Sequence, residues 1–284
     1  MGYLFFSVSL SVIRNFTSKK TSAAAEGKAS FFLYQSILFF CATVFLSGIT
    51  LMQGSLRASG ATLLCAGIYA ILLFLSQGML TVALKYGNIS VCSVIYSFGF
   101  ILPTLSGTVF WGEPFTVWNF LGLLLVIAVI LLTEKQSRQE SKGNGRFLFF
   151  ITVAMLCSGG LGIMQKLQQS TCAVEETPAF LTLSFLFAFI VSLILYLLCP
   201  QKEKVHLKQA GAPCITGLCF GGANFCNTLL AGQMKSAVFF PLQNVLVILL
   251  STLVGVLLFR ERITAKISIS IFLSICVIVL FWKF

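Results

Sequence analysis

The chain has 284 residues, of which 58% are hydrophobic and only 10% are charged. Roughly a quarter of the residues in a soluble domain are charged, so this composition excludes a water-soluble enzyme or binding module and indicates a membrane protein. The formal net charge of +11 does not indicate a nucleic-acid partner, because the segments outside the apolar runs are too short to form a basic surface with interleaved aromatic residues.

Ten apolar segments follow one another along the chain, and each has a length close to the roughly 20 residues that cross a hydrocarbon core of ~30 Å. Their bounds are residues 2–16, 30–51, 60–83, 90–111, 116–133, 147–166, 178–199, 213–233, 237–259 and 266–283. Transmembrane strands are excluded, because runs such as LGLLLVIAVILL are apolar on every face. The sequence therefore predicts an all-α integral membrane protein with ten transmembrane helices.

The second half of the chain repeats the first at an offset of 148 residues, which is the distance from Glu113 to Glu261. Four identities that are uncommon between apolar helices share this offset: Thr104 with Thr252, Gly107 with Gly255, Glu113 with Glu261, and Thr116 with Thr264. We therefore predict two five-helix repeats, residues 1–133 and 147–284, which the polar connector 134–146 joins.

Basic residues are concentrated in the loops after segments 1, 3, 5, 7 and 9, which together with Arg14 and Lys266 at the adjoining segment ends hold 15 of the 19 Lys and Arg residues. Because Lys and Arg favour the cytoplasmic side, these loops are expected in the cytoplasm and both termini outside. An odd number of helices in each repeat then makes the two repeats inverted. We expect the chain in a bacterial inner membrane, as a monomer or a weak homodimer surrounded by lipid.

Glu113 and Glu261 each precede the first turn of the next apolar segment. Free backbone N–H groups and the helix dipole stabilise a carboxylate at such a position, and Pro114 suits a helix start. A structural role at the helix terminus and a gating role are the two alternatives. The structural alternative predicts that Glu113→Gln costs only the charge contribution, about 0.3–1 kcal/mol.

The chain resembles the drug/metabolite transporter superfamily, specifically its ten-helix EamA-like branch. The resemblance rests on the ten helices in two sets of five, on the GE pair at 112–113 before TVWNFLGLLLVIAVILL, and on the second-half echo FRERITAKISISIFLSICVIVL. The second half departs from the pattern, since Arg260 stands where glycine is expected. The resemblance implies a secondary transporter with a central cavity between the repeats, which segments 1, 3, 4, 6, 8 and 9 line.

Polar side chains inside the apolar segments are the candidates for contact with a small-molecule substrate: Gln77, Tyr96, Asn224, Asn227, Gln243 and Asn244. The alternative is that these groups hydrogen-bond one helix to another, each contributing about 1 kcal/mol. The implied architecture makes Gln77 the expected partner of Asn227. Because we find no acidic residue in the middle of a segment, a neutral or zwitterionic metabolite is favoured over proton-driven drug export.

Enzymatic alternatives fail for lack of suitable residues. The chain has no aspartate to hold magnesium and diphosphate, its single histidine is His206, and its cysteines form no CxxC pair. We expect no enzyme activity, no cofactor and no metal site. The remaining alternative to a transporter is a non-catalytic membrane accessory or binding subunit.

Overall fold

A computed structural model describes residues 2–25, 27–54, 57–86, 92, 95–134, 145–200, 210–259 and 265–283. These residues form helices, and no strand occurs within these ranges. The helices are α1 (Gly2–Ala24), α2 (Lys28–Met52), α3 (Gly60–Tyr86), α4 (Ile101–Trp111), α5 (Val117–Glu134), α6 (Gly145–Thr171), α7 (Thr177–Leu197), α8 (Gly211–Gln233), α9 (Ser236–Phe259) and α10 (Ala265–Lys283). Short 3-10 turns precede α4 and α7. The all-α prediction is confirmed for this part of the chain.

Within the described ranges, five helices are long and apolar enough to cross a membrane: α2, α3, α6, α7 with its preceding turn, and α8. Exposed Phe, Leu, Ile and Val side chains lie along most of the helices. A surface of this kind, on helices of this length, is what a lipid bilayer requires.

Helix α1 continues well beyond residue 16, the bound that hydropathy gives. Its last turns are polar, and their hydroxyl groups bond within the helix and to α8. Thr17 and Thr21 donate to the carbonyl oxygens four residues earlier, at 3.0 and 3.1 Å, and the Thr216 hydroxyl lies 2.7 Å from that of Thr17. The predicted helix end is wrong because polar residues that pack against another helix have the same hydropathy as loop residues.

The helices of the first half pack mainly against those of the second half. α1 packs against α8, α3 against α6, α2 against α7, α4 against α9, and α5 against α10. When each helix is replaced by the one at the same place in the other half, the same five pairs result. The pair α1–α8 becomes α6–α3, and the pairs α2–α7, α4–α9 and α5–α10 remain as they are. These five contacts are therefore the same from either half of the chain.

Close backbone contact fixes how α2 and α8 cross. A Cβ atom at Gly217 in α8 would overlap the backbone carbonyl of Leu38 in α2. The 3-10 turn before α4 approaches the backbone of α6 in the same way, since a Cβ at Gly99 would lie 2.7 Å from the carbonyl oxygen of Met155. These contacts place α6 and α8 beside the first-half helices, with a polar space between them.

Candidate functional site

A cavity of about 180 Å³ lies between the two halves, among α1, α3, the start of α4, α6, α8 and α9. These are the helices that the resemblance implied for the lining. Its polar lining residues are Ser11, Arg14, Asn15, Ser18, Tyr96, Ser97, Ser158, Gln165, Asn224, Asn227, Gln243 and Asn244. Amides and hydroxyl groups thus dominate the polar wall, which suits hydrogen bonding to a small polar molecule.

Five of the six residues that the sequence predicts for the cavity line it: Tyr96, Asn224, Asn227, Gln243 and Asn244. Gln77 does not belong to the lining formed by the described residues. Its side chain is 1% exposed within α3, and its Oε1 atom has no hydrogen-bond partner in the described part of the chain.

Asn227 is held from α1 and α9. Its Oδ1 atom accepts a hydrogen bond from the Ser7 hydroxyl and another, of 2.7 Å, from Gln243 Nε2. The expected partnership of Asn227 with Gln77 is therefore wrong. The physical reason is that α8 packs along α1, whereas α3 faces α6 and α7. Asn227 itself is only partly buried, so it remains accessible from the cavity.

Asn224 belongs to a closed hydrogen-bond network that joins α3, α6 and α8. Its Oδ1 atom accepts from the Tyr69 hydroxyl at 2.6 Å and from Gln165 Nε2 at 3.0 Å. Gln165 Nε2 also donates to the Tyr69 oxygen at 2.9 Å, and Asn224 Nδ2 donates to the Phe220 carbonyl at 2.8 Å. Asn224 is 5% exposed and both polar atoms of its amide are bonded, so its contribution is mainly to helix packing.

Arg14 is a cavity residue that the sequence reasoning missed. Its guanidinium carbon lies 4.5 Å from the ring centre of Phe220 and 5.8 Å from that of Tyr96, which is cation–π geometry. Its Nε atom is buried and donates no hydrogen bond within the described residues. An arginine in the middle of a membrane helix indicates a functional residue, and Arg14 holds this position because α1 runs to Ala24. The positive-inside count assigned Arg14 to the basic loop after segment 1, although the predicted segment 2–16 includes it.

Glu113 bridges three helices at one end of the bundle. Its Oε1 atom lies 2.7 Å from Lys166 Nζ of α6, and its Oε2 atom accepts a 2.7 Å hydrogen bond from the Ser236 backbone N–H. Lys166 Nζ also donates to the carbonyl of Met234 at 3.2 Å. Gly107 leaves the room for this arrangement, since a Cβ there would lie 2.5 Å from Glu113 Oε2.

The Glu113 carboxylate therefore lies at a helix terminus, but the helix is α9 and not α5, the one that the sequence reasoning assigned. The first turn of α5 has its own hydroxyl acceptor, because the Asn119 N–H donates to Thr116 Oγ1 at 3.3 Å. The contact of α4 with α9 brings Glu113 to the start of α9, where the free N–H groups attract it. Glu261 lies outside the described residues.

The Glu113 ion pair lies at one end of the bundle, and the cavity lining begins close to it, at Gln165 and Phe240. We call the end where α4 and α6 finish and α9 begins the Glu113 end. Trp111 Nε1 donates to Ser170 Oγ at 2.9 Å there, which joins α4 to α6. The lining extends the other way, to Leu84 near the end of α3, where Ser22 Oγ of α1 donates to the Thr81 carbonyl at 3.0 Å. The ion pair thus lies at the end away from which the cavity extends.

The sequence matches no family model and no curated protein. Solved structures do match: a crystal structure of a protein superposes with a TM-score of 0.77 and 15% sequence identity, over 98% of this chain and 94% of that one. At this identity the likeness establishes the fold alone. Over 98% of its length the chain therefore has an architecture found in a solved protein.

Proposed function

We propose that this protein is a secondary transporter that moves a small metabolite across the membrane by alternating access. The observation that carries the proposal is the amide-lined cavity between the two halves of an all-helical membrane protein. Polar groups inside a membrane protein are costly unless they meet a partner or line a route for a solute. The proposal includes ten membrane-spanning helices, an EamA-like architecture and a bacterial inner membrane.

Two inverted five-helix repeats form part of this proposal, and three observations support them. The five helix pairs named above are unchanged when the halves are exchanged. The 148-residue offset relates the four uncommon identities, from Thr104 with Thr252 to Thr116 with Thr264. It also moves Ser36 onto Ser184, and each of these buried serines donates to the carbonyl of a phenylalanine four residues earlier, at 2.8 and 2.7 Å. Inverted repeats supply two similar closed states, as alternating access requires.

The Glu113 ion pair supports the same proposal. Alternating access needs one end of the cavity closed while the other is approachable, and Glu113 with Lys166 closes one end. Under the 148-residue offset Lys166 corresponds to Ser18, so the sequence does not repeat this ion pair in the other half. The closed state at the Glu113 end therefore depends on an ion pair, and the closed state at the opposite end has no equivalent ion pair from the repeat.

Reconstituted protein tests the proposal. Proteoliposomes are incubated in an extract of small metabolites, and the trapped compounds are compared by mass spectrometry with those in protein-free vesicles. We expect selective uptake, and we expect Asn227→Ala to reduce it several-fold or to change its selectivity, because this amide faces the cavity. Asn119→Ala is the matched control: the same substitution removes a buried amide of α5 that donates to the Pro114 carbonyl at 3.4 Å.

The control should lower thermal stability and leave uptake per folded molecule unchanged. Equal metabolite content in both kinds of vesicle would overturn the proposal and favour the accessory-subunit alternative. Uptake that is the same in the Asn227 variant as in the parent would remove the cavity from the route.

A further inference from the structure

We propose that the cavity binds a small organic anion with one negative charge, whose carboxylate pairs with Arg14. The inference rests on the proposed transport function for its biological setting, but it concerns the binding site itself. It changes the expectation from the sequence, which favoured a neutral or zwitterionic metabolite.

The first step is the charge of the cavity. Arg14 is the charged residue among the described lining residues, and a guanidinium stays protonated in proteins. No described carboxylate forms an ion pair with it; the Glu113 carboxylate is already paired with Lys166 at the far end. Arg14 is partly exposed to the cavity, and a cation inside a membrane protein is disfavoured unless it is paired, so the cavity favours an anion beside it.

The second step is the geometry around the guanidinium. The guanidinium carbon lies over the rings of Tyr96 and Phe220, 5.8 and 4.5 Å from their centres, and the Tyr96 hydroxyl also accepts a hydrogen bond from Arg14. These neutral groups stabilise the cation without supplying a carboxylate. The buried Nε atom has no acceptor among the described residues. A carboxylate accepts two parallel hydrogen bonds from such a planar donor, and this bidentate pair is stronger than a neutral hydrogen bond.

The third step limits the ligand to one negative charge. Around Arg14 the polar lining consists of neutral groups, which include Asn15, Asn227, Gln243 and Asn244. The 148-residue offset pairs Arg14 with Gly162, so the other half adds no second cation at the matching position. The described lining also offers no carboxylate for an ammonium group, which disfavours an amino acid. The volume of about 180 Å³ is below that of sites for drug-sized ligands, roughly 300–1,000 Å³.

Thermal unfolding of the full chain in phosphatidylcholine nanodiscs tests the inference. The probes are lactate, 3-hydroxybutyrate and gluconate, each with its primary amide, and inorganic phosphate at the same ionic strength. We expect at least one carboxylate to raise the melting temperature while its amide does not. An equal shift from acid and amide, no shift from any carboxylate, or a larger shift from phosphate overturns the inference.

Three variants assign the effect to the guanidinium. Arg14→Gln should abolish the carboxylate shift and leave the melting temperature of the ligand-free protein unchanged or higher, because an uncompensated charge is removed. Arg14→Lys keeps the charge but not the planar donor, so it should retain a smaller shift. Arg57→Gln makes the same substitution at an exposed position between α2 and α3 and should behave like the parent. A full carboxylate shift in Arg14→Gln refutes the assignment.

Flux measurements separate this inference from the transport proposal. Binding of carboxylates that depends on Arg14, without flux into proteoliposomes, would sustain the binding site and overturn the transport proposal. Flux of neutral solutes that is the same in Arg14→Gln as in the parent would sustain transport and overturn the anion site.

Discussion

Removal of the Glu113 charge should destabilise the protein far more than the helix dipole alone predicts. In Glu113→Gln the side chain keeps an acceptor for the Ser236 N–H, but Lys166 loses its counter-charge. Lys166 then retains only the Met234 carbonyl as a described partner. The variant therefore isolates the ion pair from the hydrogen bond to the start of α9.

The magnitude follows from the geometry of the pair. At a separation of 2.7 Å and an effective dielectric constant of about 20, the Coulomb attraction is about 6 kcal/mol before desolvation is subtracted. Removal of one partner of a buried pair costs about 3–5 kcal/mol. Because both side chains are 12% exposed, water screens part of the attraction, and we expect a loss of about 3 kcal/mol, at the lower end of that range.

A double-mutant cycle measures the coupling directly. Glu113→Gln, Lys166→Gln and the double variant are unfolded reversibly in mixed micelles, and the free energy of unfolding is determined for each. We expect each single variant to lose about 3 kcal/mol and the double variant to lose little more, because the second substitution removes the charge that the first left unpaired. If the two single losses simply add, or if Glu113→Gln loses below about 1 kcal/mol, the ion pair does not hold this end closed.

Three further outcomes are expected. Gly217→Ala should destabilise the protein by about 1–3 kcal/mol, since its Cβ overlaps the Leu38 carbonyl; an unchanged unfolding free energy would contradict the close contact of α2 with α8. Asn224→Ala should lower the melting temperature through the donors it leaves unpaired, with a cost of about 1–3 kcal/mol measured by the same unfolding assay. A cysteine at Ala58 should react with an impermeant thiol reagent in intact cells and one at Ala210 should not; the reverse pattern would invert the predicted topology.

The sequence predicted the helical architecture well because the membrane imposes it. Each apolar segment must satisfy its own backbone hydrogen bonds, so segment type and approximate length follow from hydropathy. The predicted end of α1 was wrong because it also came from hydropathy. The residues after Phe16 are polar, yet their hydroxyl groups bond to helix carbonyls and to α8. Hydropathy cannot tell a polar residue at a helix interface from one in water.

The cavity residues were predictable as a set, but their partners were not. An amide within an apolar segment needs hydrogen bonds, which singles out Asn227 and Gln243 without any structure. Which helix supplies the partner depends on the packing of α8 along α1, and Ser7 carries no signal that links it to Asn227. Arg14 was hidden by the same positive-inside count that located the basic loops, because that count treats every arginine near a helix end as a loop residue.

The backbone symmetry and the side-chain asymmetry of the two halves have different consequences for the proposed mechanism. Equivalent packing lets either end of the cavity close at similar cost in helix contacts, so the fold alone favours neither state. The charges break this balance, since Arg14 is matched by Gly162 and Lys166 by Ser18. Among the described residues, Arg14 is the charged group of the cavity and gives a bound anion one orientation, and the Glu113–Lys166 pair stabilises the packing at the Glu113 end. A ligand shifts such an equilibrium only by its differential affinity for the two states. The ion pair favours the state that is closed at the Glu113 end. An anion on Arg14 reverses this preference only if the state open at that end binds the anion more tightly. The difference in binding free energy must be at least the free energy that the ion pair contributes to the closed state.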